Sequence, residues 1–244
     1  MANYHFSISN ASEAVTWLQQ GLESCPGSFL LTFALVEQLE RTKQLSSVPS
    51  LFEKLLESVH KRIDARQAQL DESIKAFDAE VERAAEARKE ARAKAKEVAM
   101  AAGQDVEEAE GEEEKIAVRN SVQQRREYVG ALQTQAEQDL MQLKQEASLV
   151  WIKQMQFLRR SEGIRPTRLC FGKARKSPHA TWHIYEASAM IEFHCSKETR
   201  VATNVFELAI KTFPTDPDLI IRYLDFLLGN GDETSESALC LPLP

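Results

Sequence analysis

Four short stretches of the chain repeat one pattern at a nearly fixed interval. Phe52-Glu53-Lys54-Leu55, Phe171-Gly172-Lys173-Ala174 and Phe206-Glu207-Leu208-Ala209 echo one another, and Leu18-Gln19-Gln20-Gly21 fits with Leu in place of Phe. Leu18 and Phe52 lie 34 residues apart, and Phe171 and Phe206 lie 35 apart. A period of about 34 residues is one helix–turn–helix unit, which cannot bury its apolar face alone and must stack on a neighbour. The predicted fold is therefore all-α, a helical-hairpin solenoid. Arrays of this kind bind other proteins and seldom catalyse reactions.

The interval from Phe52 to Phe171 is 119 residues, one period plus an insertion of about 85. Residues 61–146 match that length and differ in character, being dominated by Ala, Glu, Lys, Arg, Gln and Asp. No proline occurs between Pro49 and Pro166, so nothing forbids long helices. Leu70, Ile74, Phe77, Val81 and Ala84 alternate spacings of four and three, a brief coiled-coil-like seam. Gly103 to Glu114 is an acidic break, and Leu132, Ala136, Leu140, Leu143 and Ala147 form a thinner stripe beyond it. A helix-loop-helix arm fits this composition, and so does a solvated, partly disordered insert. The expected organisation is N-terminal repeats at 1–60, the charged insert at 61–146, further repeats at 147–228 and a disordered tail at 229–244.

Start and stop signals place helices on both sides of the insert. Ser9 or Asn10 can cap a helix whose Ala14, Val15, Leu18 and Leu22 share a face, and Pro26-Gly27 ends it. Phe29, Leu30, Phe33, Val36 and Leu39 mark a second helix. Pro49 opens a third, carrying Phe52, Leu55 and Val59. After the insert come Trp151 to Leu158, Arg168 to Ala174 behind Pro166-Thr167, Trp182 to Phe193, Val201 to Ala209 and Leu219 to Leu228. The first helix of a unit carries an aromatic pair three apart, Trp182 and Tyr185 in the clearest copy, with Trp151 and Gln154, or Leu30 and Phe33, at the equivalent places. The second helix carries a large residue followed three later by a small one: Leu18 and Gly21, Phe171 and Ala174, Phe206 and Ala209. That spacing puts both on one face, where the small residue lets a neighbouring helix approach closely. Leu55, three after Phe52, departs from the rule.

The chain carries a formal charge of -7 and a pI near 5.4, which argues against a general attraction to nucleic acid. Its four cysteines, Cys25, Cys170, Cys195 and Cys240, are scattered without a Cys-x-x-Cys pair, excluding a zinc ribbon or a redox motif. They read as small buried hydrophobes of a reducing compartment. Met1 to Asn10 lacks the pattern of a secretion signal, and no run of 18 apolar residues occurs. The expectation is a soluble intracellular protein with no membrane partner.

No glycine-rich phosphate loop or triad supports an enzyme, and no cofactor or metal is expected. His179 and His183 are four apart but lack a third ligand, so capping or surface roles are the better reading. His194 and Cys195, adjacent on a helix, cannot face each other, and Cys195 reads as a buried thiol. Glu186 and Glu192 read as helix-face charges. The best candidate contact site is the basic cluster Arg159, Arg160, Arg165, Arg168, Lys173, Arg175 and Lys176. It could meet RNA phosphates, serve in nuclear import, or be a solvated helix face. No aromatic residue interleaved with it is read as a base-stacking partner, Phe171 being assigned to the repeat core. The run Lys89 to Lys96 is weaker, being balanced by neighbouring glutamates.

A more specific likeness lies in three runs between Leu149 and Leu228: LVWIKQMQFLRRSEGIRPTRLCFGKAR, WHIYEASAMIEFHCSKETRVATNVFELAIKTFP and LIIRYLDFLL. These resemble the half-a-TPR (HAT) repeats of the suppressor-of-forked family. That family contains the 77-kilodalton subunit of cleavage stimulation factor and its fungal counterpart in cleavage factor IA. The likeness is specific over about 80 residues and generic for the N-terminal units, and a charged insert just before it is similar to fungal members. It implies a HAT/TPR-like solenoid acting as a non-catalytic scaffold of nuclear pre-mRNA cleavage and polyadenylation. It implies as partners other subunits of that complex, with RNA met mainly indirectly, and a location in the nucleus, with the cytoplasm second. A homodimer through later repeats is also implied. The tail SESALCLPLP matches no repeat, so the chain reads as a fragment of such a protein. Two other readings stay open: a HAT scaffold of splicing or ribosome biogenesis, and a coiled-coil structural protein, which has no reason to show a period of about 34 residues.

Overall fold

Capping and breaking signals account for where the helices lie. The computed structural model describes residues 11–101 and 109–229; the expected caps Ser9 and Asn10, residues 103–108 of the acidic break, and the tail beyond Gly229 with Cys240 lie outside the described residues. Among the described residues the chain is helical with no strand: α1 (Ala11–Ser24), α2 (Phe29–Arg41), a 3-10 turn (Leu45–Ser47), α3 (Val48–Ala101), α4 (Ala109–Ser161), α5 (Ile164–Ala174), α6 (Trp182–Ser196), α7 (Thr199–Thr212) and α8 (Pro217–Gly229). The all-α, repeat-like architecture read from the sequence is the one observed.

Ser28 caps α2 by accepting the Leu31 N–H on its hydroxyl, and Asp216 caps α8 by accepting the N–H groups of Asp218 and Leu219. Pro49 falls in the first turn of α3, where its missing N–H costs nothing. Pro166 likewise sits in the first turn of α5, so that helix opens at Ile164, ahead of the expected start. The turn from α4 into α5 is made by Gly163 at φ 96°, a conformation that strains any residue with a Cβ. The N–H groups of Glu162 and Gly163 both close onto the Leu158 carbonyl there.

The described residues form two compact units, 11–61 with 143–229, and 62–142. In the first unit α1 packs on α2, α5 on α6, α6 on α7, and α7 on α8. Val15 and Leu18 of α1, Leu35, Val36 and Leu39 of α2, and Val48, Phe52 and Leu55 of α3 share one core with Val150 and Phe157 of α4. Met155 of α4 joins a second core with Ala174, Trp182, Tyr185, Ala189, Phe206, Ala209, Leu219 and Phe226. The last turns of α4 are thus buried on two faces, and Leu158 packs against both cores. The rings of Phe52 and Phe157 lie 6.1 Å apart, so residues far apart in sequence are neighbours in one stack.

In the second unit α3 and α4 run antiparallel. Arg66 pairs with Asp139 at 2.6 Å, Phe77 stacks on Tyr128 at 4.2 Å, and Arg125 forks onto Asp78 at 2.6 and 2.8 Å. As one residue number rises its partner's falls, which fixes a single register. The seam residues Leu70, Ile74, Phe77 and Val81 are half-buried, and Ala84 is exposed.

Three local expectations are corrected. Leu30, taken as the partner of Phe33, is 79% exposed, while Leu35 is buried in its stead. The run from Phe29 to Val36 is apolar nearly all round, so periodicity could not choose its inward face. Cys195 is exposed because it lies in the last turn of α6, and Cys25 is exposed in the turn after α1. Cys170 is buried, and burial pushes its thiol up to about 11. Glu192 is buried, not a helix-face charge, and Arg168 neutralises it.

Candidate protein-interaction surface

The repeat-core residues are consumed in packing. Leu18, Phe52, Ala174, Trp182, Tyr185, Phe206 and Ala209 are all buried. Phe171 is half-buried with its ring edge-on to Tyr185 at 5.4 Å, and Phe206 lies 4.9 Å from Phe226 and 5.4 Å from Tyr223. A Cβ added at Gly21 would come within 3.2 Å of Leu31, so α1 and α2 approach closely there. Trp151 is half-buried against the second core, its indole N–H enclosed without an acceptor. Leu55 is buried at the position where the other units keep a small residue.

The two histidines at ligand spacing have different ring partners. His179 precedes α6 and sets its ring 5.3 Å from that of His60. His183, in the first turn of α6, stacks on Trp182 and hydrogen-bonds with Thr181 at 3.1 Å. Burial holds its imidazole below the usual range, against the opposing pull of Glu186, Asp216 and Asp218. Among the described residues, no three His, Cys, Asp or Glu side chains gather as a metal site would. Glu186 lies 3.6 Å from Arg222 of α8.

The seven residues of the basic cluster divide into two groups. Arg160 forks onto Glu40 of α2 at 2.7 and 2.9 Å, and that hydrogen-bonded pair holds the Glu40 carboxyl below its usual range. Arg168 forks onto Glu192 of α6 at 2.6 and 2.8 Å, which raises the guanidinium pKa further. Arg159 donates to the Cys195 carbonyl at 3.0 Å, and Arg175 lies over the Phe171 ring at 5.9 Å. Arg159, Arg160 and Arg168 tie helices together, and Arg175 folds back on its own helix. Arg165, Lys173 and Lys176 are exposed and have no ion-pair partner among the described residues.

Arg165 and Lys173 share the outer face of α5 with Leu169, which is 71% exposed, and with Gly172, beside which a Cβ would meet nothing within 4 Å; Lys176 lies in the turn just after the helix. The helical spacing explains the grouping. Arg165, Leu169 and Lys173 are four apart, and Thr167, Cys170 and Ala174 take the buried opposite face. Sequence reasoning found the charges but missed Leu169. Its i−4 and i+4 basic neighbours were the available signal. A second surface is the groove of about 590 Å³ between α1, α2 and α3, where Leu22, Leu39 and Leu51 meet the exposed pair Glu57–Lys61.

Comparison with known proteins adds the lineage of this array. The family model described as "Suppressor of forked protein" matches residues 1–239. The chain is 37% identical over 239 residues to "mRNA 3'-end-processing protein RNA14" of Cryptococcus neoformans, covering 98% of this chain and 21% of that protein. It is 39% identical over 92 residues to "Protein suppressor of forked" of Drosophila melanogaster, covering 38% of this chain and 12% of the relative. It is 42% identical over 92 residues to "Cleavage stimulation factor subunit 77" of Arabidopsis thaliana, with the same two coverages of 38% and 12%. The chain thus spans about a fifth or less of the length of these relatives. With a family match that runs nearly end to end over a stack of helical hairpins, the chain belongs to the suppressor-of-forked family.

Proposed function

We propose that this chain is a non-catalytic scaffold segment of the nuclear machinery that cleaves and polyadenylates pre-mRNA. The observation that carries the reading is the family match over residues 1–239, joined by relatives whose names state mRNA 3′-end processing. The fold supports it: the repeat aromatics Trp182, Tyr185 and Phe206 are spent on stacking, and the residues left for contact lie on helix faces. In this reading other subunits of the complex are the partners, and RNA is met through them. The chain's net charge of -7 is in keeping with that.

Affinity purification of the full chain from nuclear extract tests the reading. Recovery of cleavage and polyadenylation factors is expected. Recovery of spliceosomal or pre-ribosomal proteins in their place would move the chain to another HAT-repeat assembly.

A further inference from the structure

We propose that the outer face of α5 is a docking surface for an acidic helical segment of a partner protein, with Leu169 as its apolar anchor. Segment 164–176 contains five basic residues and no acidic one, in a chain of net charge -7. Two of the five, Arg168 and Arg175, are engaged by Glu192 and by the Phe171 ring. Arg165, Lys173 and Lys176 keep unpaired charge, and Leu169 stands between them, 71% exposed. Gly172 leaves the surface beside Leu169 open, so an approaching helix meets no side chain there.

The chemistry of the occupant follows from this arrangement. Arg165 and Lys173, two turns and about 12 Å apart at 1.5 Å per residue, with Lys176 in the turn just beyond, match carboxylates along a partner helix. A leucine at their centre gains nothing from a phosphate backbone. It gains by burial against a partner's apolar side chain. The face also offers no aromatic ring for base stacking, because the Phe171 ring is turned onto Tyr185. An acidic amphipathic helix satisfies both features, and a nucleic acid satisfies only one. The partner's membership of the 3′-end machinery rests on the scaffold reading above; its chemistry does not.

The probe is a fluorescently labelled synthetic helix of about 15 residues, long enough to cover the face, built from Glu and Ala with a leucine on every turn. Its anisotropy is titrated with the full chain. Binding is expected to weaken by about tenfold or more in Leu169→Ser, the scale of one lost buried leucine. Lys173→Glu combined with Lys176→Glu should weaken it at least as much, and raised salt should weaken it for the native chain. Native melts for these variants are expected, since every altered side chain is exposed; if Leu169→Ser unfolds, the lysine pair carries the test. Equal affinity of native chain and variants would overturn the proposal. So would an oligouridylate that binds this face better than the peptide and ignores Leu169→Ser. In nuclear extract the two readings separate. If the scaffold reading is wrong the native chain recovers no 3′-end factors, whereas if this face is wrong native and variant chains recover the same ones.

Discussion

At the scale of the residue, stability is concentrated in a few enclosed side chains. Phe206 is fully buried among Tyr223, Phe226 and the α6 residues, and Trp182 is 8% exposed in the same core. Phe206→Ala and Trp182→Ala should each cost about 3–5 kcal/mol, the usual range for large core truncations, read from denaturant or thermal melts. Unchanged melts would refute their place in the stack. The Arg168–Glu192 fork makes a different kind of prediction. Glu192 is 3% exposed, so removing its partner strands a buried carboxylate. Arg168→Ala should destabilise by about 2 kcal/mol, less than a fully buried pair because Arg168 is itself half exposed. Adding Glu192→Gln should return part of that loss. These residues differ in how readable they were. Phe206 and Trp182 announce themselves by the repeat period, because a repeated packing position demands a repeated shape. Glu192 sits between Ile191 and Phe193 with its partner 24 positions away, and only the packing of α5 on α6 reveals that the two meet.

At the scale of the element, helix ends were legible and inward faces only partly so. Proline and glycine fix the chain locally, which is why the break at Pro26-Gly27 and the helix start near Pro49 could be read directly. The face of α2 could not, since an apolar residue at nearly every position erases the period. Lys43 and Lys197, both at φ 59°, end α2 and α6 in left-handed conformations that no sequence signal marks. The start of α6 carries a pH dependence. Burial lowers the pKa of His183, so the unfolded chain binds the proton more readily than the folded one. Stability from this group is therefore present above the unfolded value, about 6.5, and is lost as the pH falls below it. The native melting temperature should drop between pH 7.5 and 5.5 by more than that of His183→Gln. Parallel curves for the two proteins would show that the imidazole is not titrating against the fold.

At the scale of the whole molecule, the period of about 34 residues implied a stack, and the long interval from Phe52 to Phe171 implied that something interrupts it. The structure shows the stacking within the first unit. α4 ends with one face in the core of α1 to α3 and the other in the core of α5 to α8, and Phe52 meets Phe157 across a gap of more than a hundred positions. Which face would be left for a partner was not legible, because it depends on which of seven basic residues find acceptors in the folded chain. The surface that remains, Arg165, Leu169, Lys173 and Lys176, is a property of the assembled stack.

Residues 11–61 and 143–229 are predicted to make one cooperative array without needing the segment between them. The Arg66–Asp139 pair shows that the two strands of chain run side by side where the segment begins, so a short linker can replace it. The direct measurement is the thermal unfolding of a chain in which residues 62–142 are exchanged for a Gly-Ser linker of about six residues. A single cooperative transition within about 5 °C of the native one is predicted, the shift expected for a change of roughly 1 kcal/mol in a domain of this size. Two separate transitions, or loss of the melt altogether, would contradict the account.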